Sequence, residues 1–481
     1  MRILIVTHTF APALNGQAVF SSHLAESLAA RGHFVRVIVP AIDRPAFERK
    51  NGIEIQAIKG LDLRFIHKDL ALAFALPGQA MQILREFQPQ LVHFQDPAPI
   101  SQILLWAARK LHIPTIATHH PGPAIWAPYL PGENWFVQRI IAPIIWQYFI
   151  GYLNRMAVVV SPSQASMRML NAHGIRHPSI PVSCGVWIDK RSDQVPAHSY
   201  PGLATINSAN RQSFLYVGRL DPEKRVDVLI EAFARIKNKS AYLLLAGSGA
   251  SQESLQELVL KYRMQERVIF LGRVERAKIG ELLAASDVFV MPGDSESLSI
   301  ATLEAIAAGK PVIAANAMAL PELVQDGWNG YLFAPGDAVD LAGKIDLMIG
   351  QQQLWPLMAA RSISKAEPHT LTHAVESYVS LYQNLLSQPL PQPRPWLYPL
   401  PRWVVNSGWM LGAAQWAALL IILIISLVMR NHPVVAAPLD KVELINPVVI
   451  AEIKQFLTLL KHVNISNGQA NGLLSLLRNL H

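Results

Sequence analysis

The stretch Ala285–Asn316 reads ASDVFVMPGDSESLSIATLEAIAAGKPVIAAN. Its apolar run Val288–Met291 has strand character and breaks at Pro292-Gly293-Asp294. A helical pattern is expected to begin near Ser297 and to stop at Gly309. Pro311 follows, and a second apolar run starts at Val312. Strand, loop, helix and strand make a βαβ unit. Glu296 lies in the turn and Glu304 on the helix. In open parallel sheets a ligand sits beyond the carboxyl ends of the strands, where this loop belongs. The loop also opens onto a helix N-terminus, whose free N–H groups suit a phosphate. Ser-Glu before a helix is equally capping chemistry, so both readings stand at this point.

The same alternation extends outward in both directions. Ile3–Val6 reads as a buried strand, followed by a loop with Asn15 and Gly16, a helix from about Val19 to Ala30, and a strand Val35–Val39. LVHFQDP from Leu91, PTIATHHPG from Pro114 and MAVVVSPSQAS from Met156 repeat strand followed by polar loop. His119 and His120 stand at one of these strand ends. Arg191–Arg211 turns polar and irregular and reads as a linker. A second series follows. QSFLYVGRLDPEKRVDVLIEAF carries Arg219 and Lys224 in its loop, SAYLLLAGSG ends in glycines, and ERVIFLGRV ends at Arg273. PGDAVDLAGKIDLMI is a further helix. Apolar runs alternating with helices predict an α/β chain with parallel sheets.

Composition bounds the rest. A chain of 481 residues exceeds one ordinary core. Its 51% hydrophobic and 16% charged shares point to membrane contact. The lone Cys184 excludes an internal disulfide and a cysteine-built metal cluster, and fits a reducing compartment. The formal charge of +8 calls for anionic partners such as nucleotide phosphates or acidic lipids. Nucleic acid is not expected, because the chain has neither a dense basic run nor a base-stacking motif. MRILIVTHTF is too short an apolar run for a signal peptide, so the N-terminal part is expected to stay in the cytoplasm.

Beyond Pro389 the character changes. PLPQPRPWLYPLP is a semi-rigid spacer. Gly408–Met429 carries no charge, and a helix of about 20 apolar residues spans a ~30 Å bilayer core. Trp403, Trp409 and Trp416 lie toward one end, as interfacial aromatics do. The remaining tail, 430–481, has no assigned role. The apolar stretch from Glu133 (ENWFVQRIIAPIIWQYFIGYL) is broken by Arg139 and Pro143, and is either a core helix or a lipid-facing surface near the His120 loop.

With both halves in view, the chain resembles the retaining GT-B glycosyltransferases of the large group-1 class, often called family 4, over roughly Met1–Leu386. The glycine-bearing loop after the first strand is similar to Asn15-Gly16, with Gln17 in place of a usual second glycine. The family's histidine motif resembles Thr118-His119-His120-Pro121, which makes His120 the pocket residue. Cys184-Gly185-Val186 resembles the motif before the linker. Gly218-Arg219-Leu220 with Lys224 is similar to the basic pair that holds the donor diphosphate, and a guanidinium plus an ammonium can neutralise a leaving diphosphate. Gly272-Arg273-Val274 resembles the loop whose backbone meets the base. Glu296 and Glu304, with seven residues between them, match the two-glutamate signature.

The resemblance implies two Rossmann-like domains, 1–190 and 212–388, facing across a cleft; the proline spacing and the apolar run add a spacer 389–407 and a transmembrane helix 408–429 beyond it. It implies a nucleoside diphosphate sugar as co-substrate and, with the membrane segment, a lipid acceptor such as diacylglycerol; a polyprenol-linked or polysaccharide acceptor is the alternative, and a non-catalytic membrane scaffold the competing class. Arg219 and Lys224 can do the charge work of a divalent ion, so no metal and no cofactor are expected. His120, Arg219, Lys224 and Glu296 would form the catalytic group. Gly16, Gly218, Arg273, Val274, Ser297, Leu298, Ser299 and Glu304 would bind the donor. Glu296 would meet sugar hydroxyls and Glu304 the ribose, about 8–10 Å past the phosphate end at ~1.5 Å per residue. No general base is assigned. The enzyme is expected at the cell membrane, single-pass, with its catalytic part in the cytoplasm.

Overall fold

The computed structural model describes residues 1–388 except 14, 42–45, 63–70, 74, 121–141, 178 and 187–211. The expected linker, spacer, transmembrane helix and tail lie outside the described residues. So does the start of the apolar stretch from Glu133, whose continuation Ala142–Leu153 is helical. Among the described residues no helix is long and apolar enough to cross a membrane.

Two parallel sheets organise the chain. The first contains β1 (Arg2–Val6), β2 (Phe34–Pro40), β3 (Phe47–Lys50), β4 (Ile53–Ile58), β7 (Leu91–Phe94), β8 (Thr115–Thr118), β9 (Val158–Ser161) and β10 (Ser179–Pro181). Its order is β10-β9-β8-β7-β1-β2-β4-β3, with only β3 antiparallel to its neighbour. A separate two-stranded antiparallel sheet is formed by β5 (Gly60–Asp62) and β6 (Ala71–Ala73). The helices are α1 (Gly16–Ala30), α2 (Pro77–Phe87), α3 (Pro99–Lys110), α4 (Ala142–Leu153) and α5 (Gln164–Ala172).

The second sheet contains β11 (Ser213–Val217), β12 (Tyr242–Ala246), β13 (Val268–Gly272), β14 (Val288–Met291), β15 (Val312–Ala315) and β16 (Gly330–Phe333), in the order β13-β12-β11-β14-β15-β16. Its helices are α6 (Val226–Arg235), α7 (Gln252–Lys261), α8 (Ile279–Ala285), α9 (Ile300–Ala307), α10 (Leu320–Leu323), α11 (Ala338–Gly350), α12 (Trp355–Ala366) and α13 (Leu371–Ser387).

The strands form where the apolar runs predict them, because a strand covered on both faces needs apolar residues at every position. Ile3–Val6 and Val288–Val290 are fully buried. Each such side chain contributes about 1.5–3 kcal/mol through burial. Both sheets reverse direction at an inner strand. The chain leaves β1 for β2 on one side and reaches β7 on the other; it leaves β11 for β12 and later reaches β14. Such switch points open a crevice at the carboxyl ends of the strands. The Gly16 loop follows β1, the Arg219 loop follows β11, and the Glu296 loop follows β14.

The last helix returns to the first sheet. Tyr382 Oη lies 2.8 Å from His93 Nδ1, and Tyr378 Oη lies 2.9 Å from Thr118 Oγ1. Gly185 (φ +72) marks the crossing, since a Cβ there would fall 2.8 Å from Leu371 Cα. Val186 donates its N–H to His369 and accepts from Leu371 at 2.8 Å. The Cys184-Gly185-Val186 motif is thus packed against the start of the return helix.

Candidate active site

The loop after β11 runs beside the glycine loop after β12. Gly218 N donates to Ala246 O at 3.0 Å, and Leu220 N donates to Ser248 O at 3.1 Å. Close approach requires Gly247, where a Cβ would fall 1.8 Å from the Gly218 carbonyl oxygen. A short 3-10 turn, Pro222–Lys224, then delivers Lys224 toward β14, and Arg225 closes it in the left-handed region (φ 49). Arg219 donates to Asp221 and, at 2.5 Å, to Glu223. Lys224 Nζ donates to Glu296 Oε1 at 2.5 Å. The basic pair and Glu296 are therefore neighbours, each cation held by carboxylates. A Cβ on Gly293 would stand 3.3 Å from Glu296 Oε1 and 3.6 Å from Lys224 Cα, so this glycine gives the pair room. Asp221 and Glu223 were not singled out in the sequence, although they sit inside the DPEK run that carries Lys224.

The helix after Glu296 begins at Ile300, later than the expected Ser297. Ser299 is the reason. It takes a left-handed conformation (φ 68, ψ 85) and caps α9, its Oγ accepting from Thr302 N at 3.4 Å. A non-glycine residue held there costs of order 1 kcal/mol or more, a strain that concentrates at functional sites. Ser297, Leu298 and Ser299 thus belong to the loop. Two carbonyls of this loop are held: Glu296 O by Ala319 N at 3.1 Å, and Ser297 O by Ser163 Oγ at 2.5 Å. The later start also brings Glu304 nearer the helix end, about 6 Å past Ile300 at ~1.5 Å per residue rather than 8–10 Å.

Glu304 is paired with Arg276, a residue the sequence reading did not single out. Burial raises the Glu304 pKa, and Arg276 opposes that rise. Arg276 also acts on His23 of α1, whose pKa is lowered first by burial and then by this guanidinium. Arg273 is exposed and Val274 buried on the same loop, whose Gly272 carbonyl accepts from Gly247 N at 2.8 Å. The two walls meet at Gly16, where a Cβ would lie 3.5 Å from Ile300 Cδ1. Asn15 starts α1 at Gly16, three residues earlier than the apolar pattern implied, by accepting from Ala18 N.

On the first wall His120 is buried, its Nε2 lying 2.8 Å from Gln95 Oε1 and its ring 5.2 Å from that of Phe20. Burial holds His120 at about 3 and His119 at about 4, so both are neutral. His119 Nε2 is buried with no hydrogen-bond partner among the described residues. Beside them His8 Nδ1 lies 2.9 Å from Asp96 Oδ2, which also accepts from Gln17 Nε2 at 2.8 Å. Gln17, in place of a second glycine, thus ties the Gly16 loop to the strand-end carboxylate. Neither His8 nor Asp96 was assigned from sequence. Both lie inside strand-end segments, and only their pairing across β1 and β7 marks them.

The family model described as Glycosyl transferases group 1 matches residues 205–366, and that of Glycosyltransferase Family 4 matches residues 14–190. An alpha-monoglucosyldiacylglycerol synthase of Streptococcus pneumoniae is 26% identical over 353 residues, 72% of this chain and 77% of that protein. A GDP-mannose-dependent alpha-mannosyltransferase of Corynebacterium glutamicum is 30% identical over 355 residues, 71% of this chain and 78% of that protein. Among solved structures, Anabaena HepE in complex with UDP superimposes with a TM-score of 0.63 at 20% identity, over 80% of this chain and all of that one (100%).

Proposed function

This chain belongs to the group 1 glycosyltransferases, and from that premise we propose that it is a membrane-anchored, retaining enzyme moving a sugar from a nucleoside diphosphate sugar to a membrane lipid such as diacylglycerol. The observation that carries the donor site is the meeting of Lys224 and Glu296 at 2.5 Å, ahead of the capped N-terminus of α9. A diphosphate placed there takes Lys224 and Arg219 as counter-charges and the loop N–H groups of 297–299 as donors. Glu296 is then freed for sugar hydroxyls, and Glu304, released from Arg276, for the ribose. The basic pair does the charge work of a divalent ion, so the reading needs no metal or cofactor. The leaving diphosphate helps accept the acceptor's proton, and no general base is assigned.

The lipid acceptor is supported by the diacylglycerol named for the streptococcal relative and by the apolar segment 408–429. The alpha designation of both relatives agrees with retention from an alpha-linked donor. The enzyme sits at the cell membrane with its catalytic part in the cytoplasm. The competing reading keeps the donor site and exchanges the acceptor for a polyprenol-linked sugar or polysaccharide. A non-catalytic scaffold has no use for Arg219, Lys224, Glu296 and Glu304 together.

The test incubates the purified full chain with labelled sugar nucleotides, UDP-glucose and GDP-mannose among them, and a total lipid extract. Label in a glycerolipid is the expected result; hydrolysis without labelled lipid overturns the lipid acceptor. Truncation after Leu390 is expected to release the protein from membranes, and continued sedimentation with lipid would place the anchor elsewhere.

A further inference from the structure

The donor loop is not held by its own sheet alone. Ser163 lies between β9 and α5, on the first sheet, and donates its hydroxyl to the Ser297 carbonyl at 2.5 Å. The same oxygen accepts from Ser166 N at 3.1 Å, so Ser163 also caps α5. Glu322, on α10 of the second sheet, accepts from the backbone N–H groups of Gln164 at 3.0 Å and Ala165 at 2.6 Å. A carboxylate there meets unsatisfied donors and the positive end of a helix dipole. Arg168 adds a weaker contact to Glu322 at 3.8 Å. The segment carrying Glu322 is itself bound to the donor loop, through Ala319 N to Glu296 O at 3.1 Å. One helix end of the first sheet thus grips the Glu296–Ser299 loop twice, directly through Ser163 and indirectly through Glu322.

We propose that Ser163 and Glu322 are positioning residues for glycosyl transfer: they clasp the α5 N-terminus onto the Glu296–Ser299 loop and hold that loop, with its left-handed Ser299, in the geometry that receives the donor when the two walls are closed. The assignment rests on the donor-site reading of this loop. Its physical content is that a loop carrying backbone strain keeps one conformation only where its surroundings over-determine it. Here part of the determination comes from the opposite wall. Acceptor-side closure and donor-side geometry are therefore one event, and separation of the walls relaxes the loop and lets the nucleotide leave.

Three variants separate the clasp from the helix cap. Ser163→Asp keeps an acceptor for Ser166 N but loses the donor to Ser297 O. Glu322→Ala removes the α5 anchor and leaves the Ser163 cap intact. Ser163→Thr keeps both functions of the hydroxyl. In hydrogen exchange on the full chain, residues 297–303 are expected to exchange about ten-fold faster in Ser163→Asp and Glu322→Ala than in the wild type and Ser163→Thr. With labelled UDP-glucose or GDP-mannose, kcat is expected to fall about ten-fold in the same two variants and donor KM to rise with it, because the loop they relax carries the 297–299 N–H donors to the diphosphate. Ser163→Thr restores kcat. Unchanged exchange at 297–303 in both variants overturns the clasp, as does loss of turnover in Ser163→Thr equal to that in Ser163→Asp. A merely structural role would lower stability and leave loop exchange in the folded protein unaltered. The exchange measurement needs no substrate, so a wild-type chain that transfers no sugar would defeat the transferase reading while the clasp is still judged by exchange.

Discussion

Lys224→Met is the sharpest test of the donor site. The Lys224 ammonium is fixed 2.5 Å from Glu296 Oε1, with side-chain exposures of 20% and 10%. A leaving diphosphate at about 4 Å from that ammonium is stabilised by about 4 kcal/mol per unit charge at an effective dielectric constant near 20. That energy corresponds to about a thousand-fold in rate. The donor already carries negative charge when it binds, so the loss divides between KM and kcat and appears whole in kcat/KM. The single variant also leaves Glu296 with an unpaired carboxylate, costing about 2 kcal/mol of stability. Adding Glu296→Gln removes that carboxylate's charge. The double variant is expected to regain most of the stability and none of the turnover. The measurements are urea unfolding for stability and transfer of labelled sugar for kcat/KM. Retention of kcat/KM within ten-fold of wild type in a folded Lys224→Met enzyme would show that this ammonium does not face the diphosphate.

Three further outcomes follow from the geometry. His93, His119 and His120 are held by burial at about 3, 4 and 3. Between those values and about 6.5 the unfolded chain binds protons that the folded one does not. Stability is therefore full above about pH 6.5 and falls by about 1 kcal/mol per pH unit for each histidine as the pH drops; a urea midpoint unchanged from pH 7.5 to 5 contradicts the assignment. Tyr382→Phe removes the partner of buried His93 Nδ1 and is expected to cost about 1–2 kcal/mol in urea unfolding, whereas an unchanged midpoint would mean that this contact does not fasten the return helix. Gly247→Ala places a methyl 1.8 Å from the Gly218 carbonyl oxygen. It is expected to lose about 3 kcal/mol together with donor turnover, and wild-type activity would show that the two loops do not need their close approach.

The strands were legible because their cause is local. A parallel strand buried on both faces must be apolar throughout, so VFVM at 288–291 announces itself. Charged residues at strand ends were legible for the same reason: Arg219 and Lys224 follow one apolar run, and Glu296 follows another. Helix starts were less so. Asn15 and Ser299 set them by capping, and both starts departed from the hydrophobic pattern by about one turn, in opposite directions.

By itself, then, the sequence determined two βα series, the loops that bear chemistry and the residue types within them, since each depends on neighbours along the chain. Tertiary structure alone decided which side chains meet. Ser163 and Ser297 are 134 positions apart, Lys224 and Glu296 72, and His8 and Asp96 88. Arg276 reaches Glu304 from a different strand end. No periodicity or composition records such pairs, because they exist only once the strand order has brought separate loops to the same crevice.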